Sequence, residues 1–415
     1  MNVTLSESVA AVLGQTPPKR LGVAVSGGGD SVALLAILAK FARDHDIELH
    51  VVSVDHGIRP EAKQEISFVR EMCAGLGLPH HVEHWTGWKG QGNFQAVARE
   101  GRYALMSNWA HANEISHIAL GHTADDQAET FVMRLARGAG VDGLSAMAPR
   151  RVNQGITWIR PFLGVQRADL RTYLRAQKLG WCEDPSNENR DYERVKARDA
   201  LTVLGTLGIT VDGLVQVTRN LTKAREALNW QVFLSAREAV TVQHGAISID
   251  RHHFQTLPEE IARRLLLNSV QWISRTPYGP RGPTIARAQK AVLAGQTSTL
   301  DGCQVSIKGG RVWVFREYNA VRDKACDVSK AWDGRWRVDG PRDRPLLEVR
   351  ALGFDALANI QGWREIGLPR AALASTPSVW YKDELVAAPI AQPDAGWSAN
   401  LENGADTYFA ALLSH

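Results

Sequence analysis

The sequence predicts an α/β fold. Its N-terminal part reads as a parallel twisted sheet with helices on both faces, followed by a mainly helical domain with a hairpin and a smaller α+β C-terminal domain. Three observations predict this. Compact apolar runs such as GVAVS and LHVVSV alternate with stretches of helical period as far as Cys182. Continuous apolar runs mark strands buried on both faces, and strands that alternate with helices form parallel sheets. The runs end on polar tips, and beyond Arg198 the alternation stops.

Along the chain, GVAVS (22–26) is the first strand, and DSVALLAILAKFARDHD (30–46) is a helix with charges at its end. LHVVSVDHG (49–57) repeats the scheme, followed by a helix over 61–75 and the short strand HHVEHW (80–85). A long helix over 93–113 leads to the strand ISHIALGH (115–122) and the helix TADDQAETFVMRLARG (123–138). ITWIRPFLG (156–164) is a further strand and 165–178 a helix; parallel sheets bind ligands where such strands end. Residues 203–239 read as mostly helical, PEEIARRLLLNSVQWIS (258–274) as a strongly amphipathic helix, and CQVSIKGGRVWVFRE (303–317) as a hairpin. The last segment is rich in Pro, Trp and Arg, with short strands at RWRVDG and SVWYKDELVAAPI. The expected domains are 1–200, 201–326 and 327–415.

A chain of 415 residues, 44% hydrophobic and 22% charged, has the composition of a globular protein. The net charge of +4 permits a nucleic-acid partner without demanding one. Four widely separated cysteines form no C-x-x-C pair, which argues against a disulfide scaffold or a zinc ribbon. No stretch approaches the roughly 18 to 20 apolar residues of a membrane span. A soluble, cytoplasmic protein without a membrane partner is expected.

The chemistry concentrates first in SGGGDS (26–31). A Walker A loop requires Lys and then Ser or Thr after the last glycine, whereas Gly29 is followed by Asp30 and Ser31. Gly27 and Gly29 supply only half of a dinucleotide fingerprint, because position 32 is Val. A nucleophile elbow around Ser26 comes too early in the chain, since its oxyanion loop should precede it. A plain glycine turn leaves the acid and the two serines unexplained. A pyrophosphate cradle remains. Its glycines admit backbone N–H groups to an anion, the following helix adds its positive end, and Asp30 acts through Mg²⁺.

SGGGDS resembles the S-G-G-x-D-S loop of the N-type ATP pyrophosphatases, which have a PP-loop, Rossmann-like fold. Within them the chain resembles the tRNA(Ile)-lysidine synthetases. VDHGIR (54–59), AREGRY (98–103), GHTADDQAET (121–130), RPFL (160–163) and EDPSN (183–187) follow in that family's order. ERVKAR (193–198) keeps Arg194 and Arg198 but has Val195 where the family has Asn.

The resemblance implies ATP, Mg²⁺ and L-lysine as reactants and a tRNA(Ile) with a CAU anticodon as partner; a homodimer stays open. The C2 oxygen of cytidine 34 attacks the α-phosphate, pyrophosphate leaves, and the lysine amine displaces AMP. Ser26, Gly27, Gly28, Gly29 and Ser31 would hold pyrophosphate, and Asp30 would hold the metal. Asp55, His56 and His122 would lie near the nucleotide, although a surface histidine is an alternative for His56. His122, Asp125, Asp126 and Glu129 are spaced to share one helix face. A carboxylate there would bind the lysine ammonium or accept its proton, which one being left open. Adjacent acids at a helix start also serve the helix itself. Arg99 and Arg137 are read as catalytic, and Arg102, Arg194 and Arg198 as substrate-binding, against the plainer reading of solvated helical arginines. The tryptophans of the last third read first as core and second as base-stacking residues. The rivals are a tRNA thiolase, against which the missing C-x-x-C pairs count, and an ATP-sensing module without turnover.

Overall fold

The first sheet grows outward from a strand that its neighbours bury on both faces. The computed structural model describes residues 4–57, 62–88, 94–183, 193–276, 279–341, 345–393 and 396–413. Within them the chain forms two compact units, 1–225 and 226–414. The first unit runs α1 (Leu5–Leu13), β1 (Arg20–Ala24), α2 (Gly29–Asp44), β2 (Glu48–Asp55), α3 (Ala62–Leu76), β3 (His80–His84), α4 (Phe94–Ala112) and β4 (His117–Ala119). It continues through α5 (Ala124–Leu135), α6 (Val141–Leu144), β5 (Arg150–Asn153), β6 (Ile156–Ile159), α7 (Arg167–Ala176), α8 (Glu193–Gly205) and α9 (Val211–Ala239), inside which the division falls.

The strand order is β3-β2-β1-β4-β6-β5, with every pair parallel except β5 against β6. Leu21 and Val23 of β1 are fully buried, as are Val51 of β2 and Ala119 of β4. Helix α2 buries residues on nearly every side, from Val32 to Ala42, because α1 and α7 pack against it as well as the sheet. Its almost uninterrupted apolar run follows from that position.

The edge strand β5 is an addition to the expected pattern. RRVN carries charged residues and exposes Val152, so it has no apolar signature. Gln154 and Gly155, at φ +52° and +73°, make the tight turn that folds it back on β6.

The chain builds outward from β1 to β2 and β3, then returns to place β4 on the other side of β1. Strand order reverses between β1 and β4, and ligands of such sheets bind at the carboxyl ends of the strands there. SGGGDS leaves β1 and GHTADD leaves β4, so the two most distinctive motifs share this point. They touch closely: a Cβ on Gly121 would stand 3.0 Å from the Asp30 carbonyl oxygen.

The second unit opens with the hairpin β7 (Val240–Gln243) and β8 (Ala246–Asp250). It continues through α10 (Arg251–Thr256), α11 (Glu259–Ser274), α12 (Gly282–Leu293), β9 (Ser298–Leu300), β10 (Cys303–Lys308) and β11 (Arg311–Arg316). These strands form the antiparallel sheet β7-β8-β11-β10-β9, with Leu265, Ile273, Ile285 and Val305 in its core. The expected hairpin pairs Cys303 with Arg316 through Lys308 with Arg311, and Gly309 and Gly310 take positive φ at its tip.

The remaining elements are β12 (Ala325–Asp327), β13 (Trp336–Asp339), β14 (Leu347–Ala351), α13 (Phe354–Ala358), α14 (Arg370–Ala374), β15 (Pro377–Tyr381), β16 (Glu384–Ala387), β17 (Ser398–Leu401) and α15 (Ala405–Leu413). They give a sheet β12-β14-β15-β16 and a separate pair β13-β17. Trp332, Trp336 and Trp397 lie buried in this core, so they are packing residues, while Trp363 and Trp380 are half-buried. Among the described residues no helix is long and apolar enough to cross a membrane.

Gly27, at φ +91°, occupies a backbone region that L side chains rarely adopt, and its Cβ would stand 3.3 Å from that of Glu65. Gly27→Ala is expected to lower stability by about 1–3 kcal/mol, the usual cost of such strain. A thermal or denaturant midpoint equal to that of the unaltered protein refutes this.

Candidate active site at the strand-order reversal

Each part of the site begins where a strand releases the chain. After β1, the Val25 N–H still donates to the Val52 carbonyl at 2.9 Å, so the turn is held in line with the sheet. Gly28 is the N-cap of α2 and offers no side chain, which leaves the first N–H groups of that helix open to an anion. Ser31 Oγ donates to the Gly28 carbonyl at 2.9 Å, accepts the Ser26 N–H at 3.2 Å, and lies 3.3 Å from Ser26 Oγ. From outside, the Cys182 N–H donates to the Gly27 carbonyl at 2.9 Å, and a Cβ on Gly29 would lie 3.4 Å from the Trp181 ring. These contacts fix the loop.

Beside it lies a cluster of acids. Helix α5 is capped by Thr123, whose hydroxyl accepts the Asp126 N–H at 3.4 Å; Asp126 Oδ2 in return accepts the Thr123 N–H at 2.8 Å. His122 therefore precedes the cap and lies off the helix face it was expected to share with Asp125, Asp126 and Glu129. The capping box stops the helix at Ala124.

Asp125 Oδ2 accepts the backbone N–H of Arg167 at 2.7 Å, so this acid anchors the start of α7. The Arg167 side chain reaches three carboxylates. Its Nε donates to Asp30 Oδ2 at 2.9 Å, Nη2 lies 3.3 Å from Asp126 Oδ1, and Nη1 lies 3.6 Å from Glu129 Oε1. Arg198 Nε donates to Glu129 Oε1 at 2.6 Å, while Glu129 Oε2 is buried and accepts no hydrogen bond among the described residues.

Asp30, Asp126 and Glu129 differ in the direction in which their proton affinity is shifted. Burial raises the pKa of Asp30, opposed by Arg167. Burial also raises Glu129, reinforced by the Asp126 charge. At Asp126 burial again pushes upward, but Arg167, His122 and the Thr123 N–H together carry the net shift downward. For Arg167 itself, burial is outweighed by the acids, which raise its pKa.

A second region is basic. Tyr103 sits with Arg99 and Arg102 over its ring, 5.2 and 5.7 Å from the centroid, and its edge meets Trp158. Arg160 Nη1 donates to the Ala148 carbonyl at 2.8 Å. Among the described residues, Arg102 Nε, Arg160 Nε and His122 Nδ1 are buried without hydrogen-bond partners. Burial, with Arg160, Arg102 and Arg99 nearby, pushes the His122 pKa down to about 3 against the pull of Asp126, so the ring is neutral at pH 7.

Of the expected residues, the structure brings together Ser26, Gly27, Gly28, Gly29, Asp30 and Ser31 with Asp125, Asp126, Glu129 and Arg198. His122, Arg99 and Arg102 lie around the basic pocket, and the charge of Arg194 acts on both Arg102 and Asp126. Asp55 accepts the Gly57 N–H at 2.8 Å and faces His84, while His56 meets the Trp85 ring edge-on. Arg137 is not brought in: it pairs with Glu193 on the surface, both more than half exposed. Ile58, Arg59, 184–187 and Arg190 lie outside the described residues.

The sequence places Arg167 among the basic residues of a tRNA backbone track and Arg160 in the RPFL motif, and gives neither a role in this site. Arg160 ends the β6 run, and that position at the carboxyl end of a strand was the available signal; Arg167 had none beyond its charge.

Among the described residues no three His, Cys, Asp or Glu side chains converge to hold a metal ion. Two carboxylates near an open phosphate cradle nevertheless suit Mg²⁺, which takes one or two carboxylates, substrate phosphates and water.

A glycine-rich anion cradle and an acid cluster at the strand-order reversal define a nucleotide-using α/β enzyme. Accordingly, residues 1–204 match the family model of the PP-loop domain. A tRNA(Ile)-lysidine synthase of Ruegeria pomeroyi is 48% identical over 399 residues, covering 96% of this chain and 95% of that protein. Those of Bradyrhizobium diazoefficiens and of a Wolbachia from Brugia malayi are 35% and 33% identical, over 71% and 76% of this chain and 89% and 76% of theirs. The chain belongs to the tRNA(Ile)-lysidine synthase family.

One consequence concerns pH. His122 is held neutral in the fold but takes a proton in the unfolded chain near its ordinary value of 6.5. Between about pH 6.5 and 3 the unfolded state binds the extra proton, so stability falls as pH is lowered through that window. His122→Gln should flatten this part of the stability profile, measured by denaturant unfolding at a series of pH values. An unchanged slope argues against a buried neutral ring.

Proposed function

We propose that this chain ligates L-lysine to C2 of cytidine 34 in the CAU anticodon of tRNA(Ile), through an adenylated tRNA, splitting ATP into AMP and pyrophosphate. The observation that carries this reading is the reach of Arg167 from the SGGGDS acid, Asp30, to the two acids of GHTADDQAET, Asp126 and Glu129. A phosphate-activation loop and an amine-binding cluster thus lie within one side chain of each other. Adenylation and the attack of lysine on the activated carbon need that proximity.

The N–H groups at the start of α2, with Ser26 and Ser31, receive the pyrophosphate end of ATP. Asp30 holds Mg²⁺, whose charge, when bound, neutralises the phosphate oxygens. Asp126 and Glu129 divide the work on lysine. Asp126, held below the usual carboxylate range, stays ionised and anchors the ammonium. Glu129, raised by burial and by Asp126, is the better proton acceptor, and its unpartnered Oε2 is available to receive the proton. The basic pocket of Arg99, Arg102 and Arg160 suits the phosphate and polyanion side of the reaction. The segments 201–326 and 327–415 carry the rest of the tRNA contact, and the protein works in the cytoplasm as a monomer or a homodimer. The thiolase reading is not favoured: the four cysteines are widely separated and form no C-x-x-C pair, and the similar curated proteins are lysidine synthases.

The direct test follows labelled lysine into a tRNA with a CAU anticodon in the presence of ATP. Folded protein that incorporates none, given the right isoacceptor, removes the reading. Asp30→Ala should abolish incorporation while leaving the circular dichroism unchanged; full retained activity rejects its metal-holding role. Glu129→Gln is expected to lower kcat by about 10²–10⁴-fold, the scale of losing a general base, with a smaller effect on the KM for lysine. An unaltered KM and kcat would place the amine elsewhere.

A further inference from the structure

Arg167 is arranged unlike a structural arginine. A structural pairing typically presents the fork of the guanidinium to one carboxylate in two parallel bonds. Here three different nitrogens contact three different carboxylates at 2.9, 3.3 and 3.6 Å. Those carboxylates are Asp30, Asp126 and Glu129, so one guanidinium occupies the space to which the preceding reading brings two cations.

The main chain beneath it is anchored separately. Asp125 Oδ2 accepts the Arg167 N–H, so the side chain can swing while the start of α7 stays in place. There is somewhere for it to go. Arg167 also lines a cleft of about 370 Å³ with Asp125, Ala168, Arg171, Thr172 and Arg175. Finally, both arginines lie against Glu129 Oε1, and on this 1% exposed side chain Oε2 is buried without a hydrogen-bond partner among the described residues. Such an acceptor is costly unless a donor completes it in the working complex.

We propose that Arg167 is the resident cation of the acid cluster: it keeps the Mg²⁺ and lysine-ammonium positions closed in the nucleotide-free protein, and the ATP triphosphate draws its guanidinium away to open them. This rests on the assignment of Asp30, Asp126 and Glu129 as cation-binding acids. The driving charge is local, because Arg167 is bonded to Asp30 in the first turn of α2, where the triphosphate arrives. The arginine then stabilises phosphate instead of carboxylate, and the released acids accept metal and amine. ATP binding and lysine binding are thereby coupled, and the coupling is reciprocal. Lysine is kept from the site until there is something for it to react with.

The test measures binding rather than turnover, on the full chain without tRNA. Mn²⁺, followed by the paramagnetic signal of the free ion, stands in for Mg²⁺, and labelled L-lysine is followed by equilibrium dialysis. Lysine is measured with and without a non-hydrolysable ATP analogue. In the unaltered protein both should bind weakly alone, and lysine about tenfold or more tighter with the analogue, a typical coupling. Mn²⁺ is compared without nucleotide, because the analogue itself chelates it. In Arg167→Gln both should bind without nucleotide about tenfold or more tighter than to the unaltered protein, and the analogue should add little to lysine binding. Nucleotide-free affinities in folded Arg167→Gln that equal or fall below those of the unaltered protein overturn the proposal and make Arg167 a scaffold. If the glutamine variant does not fold, Arg167→Lys carries the same test. Its point charge cannot span three carboxylates, so it should gain part of the nucleotide-free affinity, and no gain overturns the proposal. Failure of the unaltered protein to bind lysine even with the analogue instead removes the acid assignment itself.

Discussion

Carboxylates brought side by side in a protein interior repel one another unless a cation stands among them, and the first unit is arranged around that constraint. Asp30 begins α2, Asp126 and Glu129 lie in α5, and the guanidinium that joins them comes from the first residue of α7. Three helix N-termini therefore meet at one place. Each carries partial positive charge, which favours the acids in the resting protein and the phosphates of a nucleotide once one is bound. The fold provides this convergence through strand order. With β4 beside β1, the helices that follow the two strands must begin next to each other, and Gly121 admits the close contact that a larger residue would push apart.

The same point of the sheet keeps opposite charges apart. Arg99, Arg102 and Arg160 crowd Tyr103 and His122, whereas the acids gather around Arg167. Among so many guanidiniums a protonated imidazole would be one positive charge too many, and burial adds to the penalty, so His122 stays neutral and polar. Tyr103 shows the complementary effect. Burial raises its pKa, but Arg99, Arg160 and Arg102 together bring it below the ordinary phenol value. Two compartments of opposite sign side by side suit a substrate that is anionic at its phosphates and cationic at its amine.

Much of this was legible in the sequence because it depends on short-range rules. SGGGDS and GHTADD read as strand-to-helix exits, and alternating strands and helices imply a parallel sheet that binds ligands at those exits. What escaped depends on turns or on distance. The β5 edge strand and the β7–β8 hairpin are short, and each is defined by a two-residue turn, Gln154-Gly155 and His244-Gly245, rather than by an apolar run. His122 was set on a helix by spacing alone, whereas the reciprocal bonds of Thr123 and Asp126 begin that helix two residues later. Arg167, read as one of the basic residues of a tRNA track, was missed in the acid cluster for a different reason. In VQRADLR it looks like one more solvated arginine, and its partner Asp30 is 137 residues away. Arg137 is the converse case: a motif position raised it, and the structure spends it on a surface pair.

The contact between Arg198 and Glu129 explains how a buried carboxylate can serve as a directed acceptor. A glutamate with both oxygens bonded would be fixed but unreactive, and one with neither bonded would be costly to bury and free to rotate. Arg198 holds Oε1 at 2.6 Å, which orients the carboxylate, and among the described residues Oε2 is left buried without a partner. Burial and the neighbouring Asp126 charge raise the proton affinity of the group, while Arg198 and Arg167 keep it from rising further. Two arginines at one end and an open oxygen at the other therefore give Glu129 a single direction in which to accept a donor. Its net shift is upward, so the group holds a proton more readily than a solvated glutamate, and Oε2 is the oxygen that has no partner among the described residues.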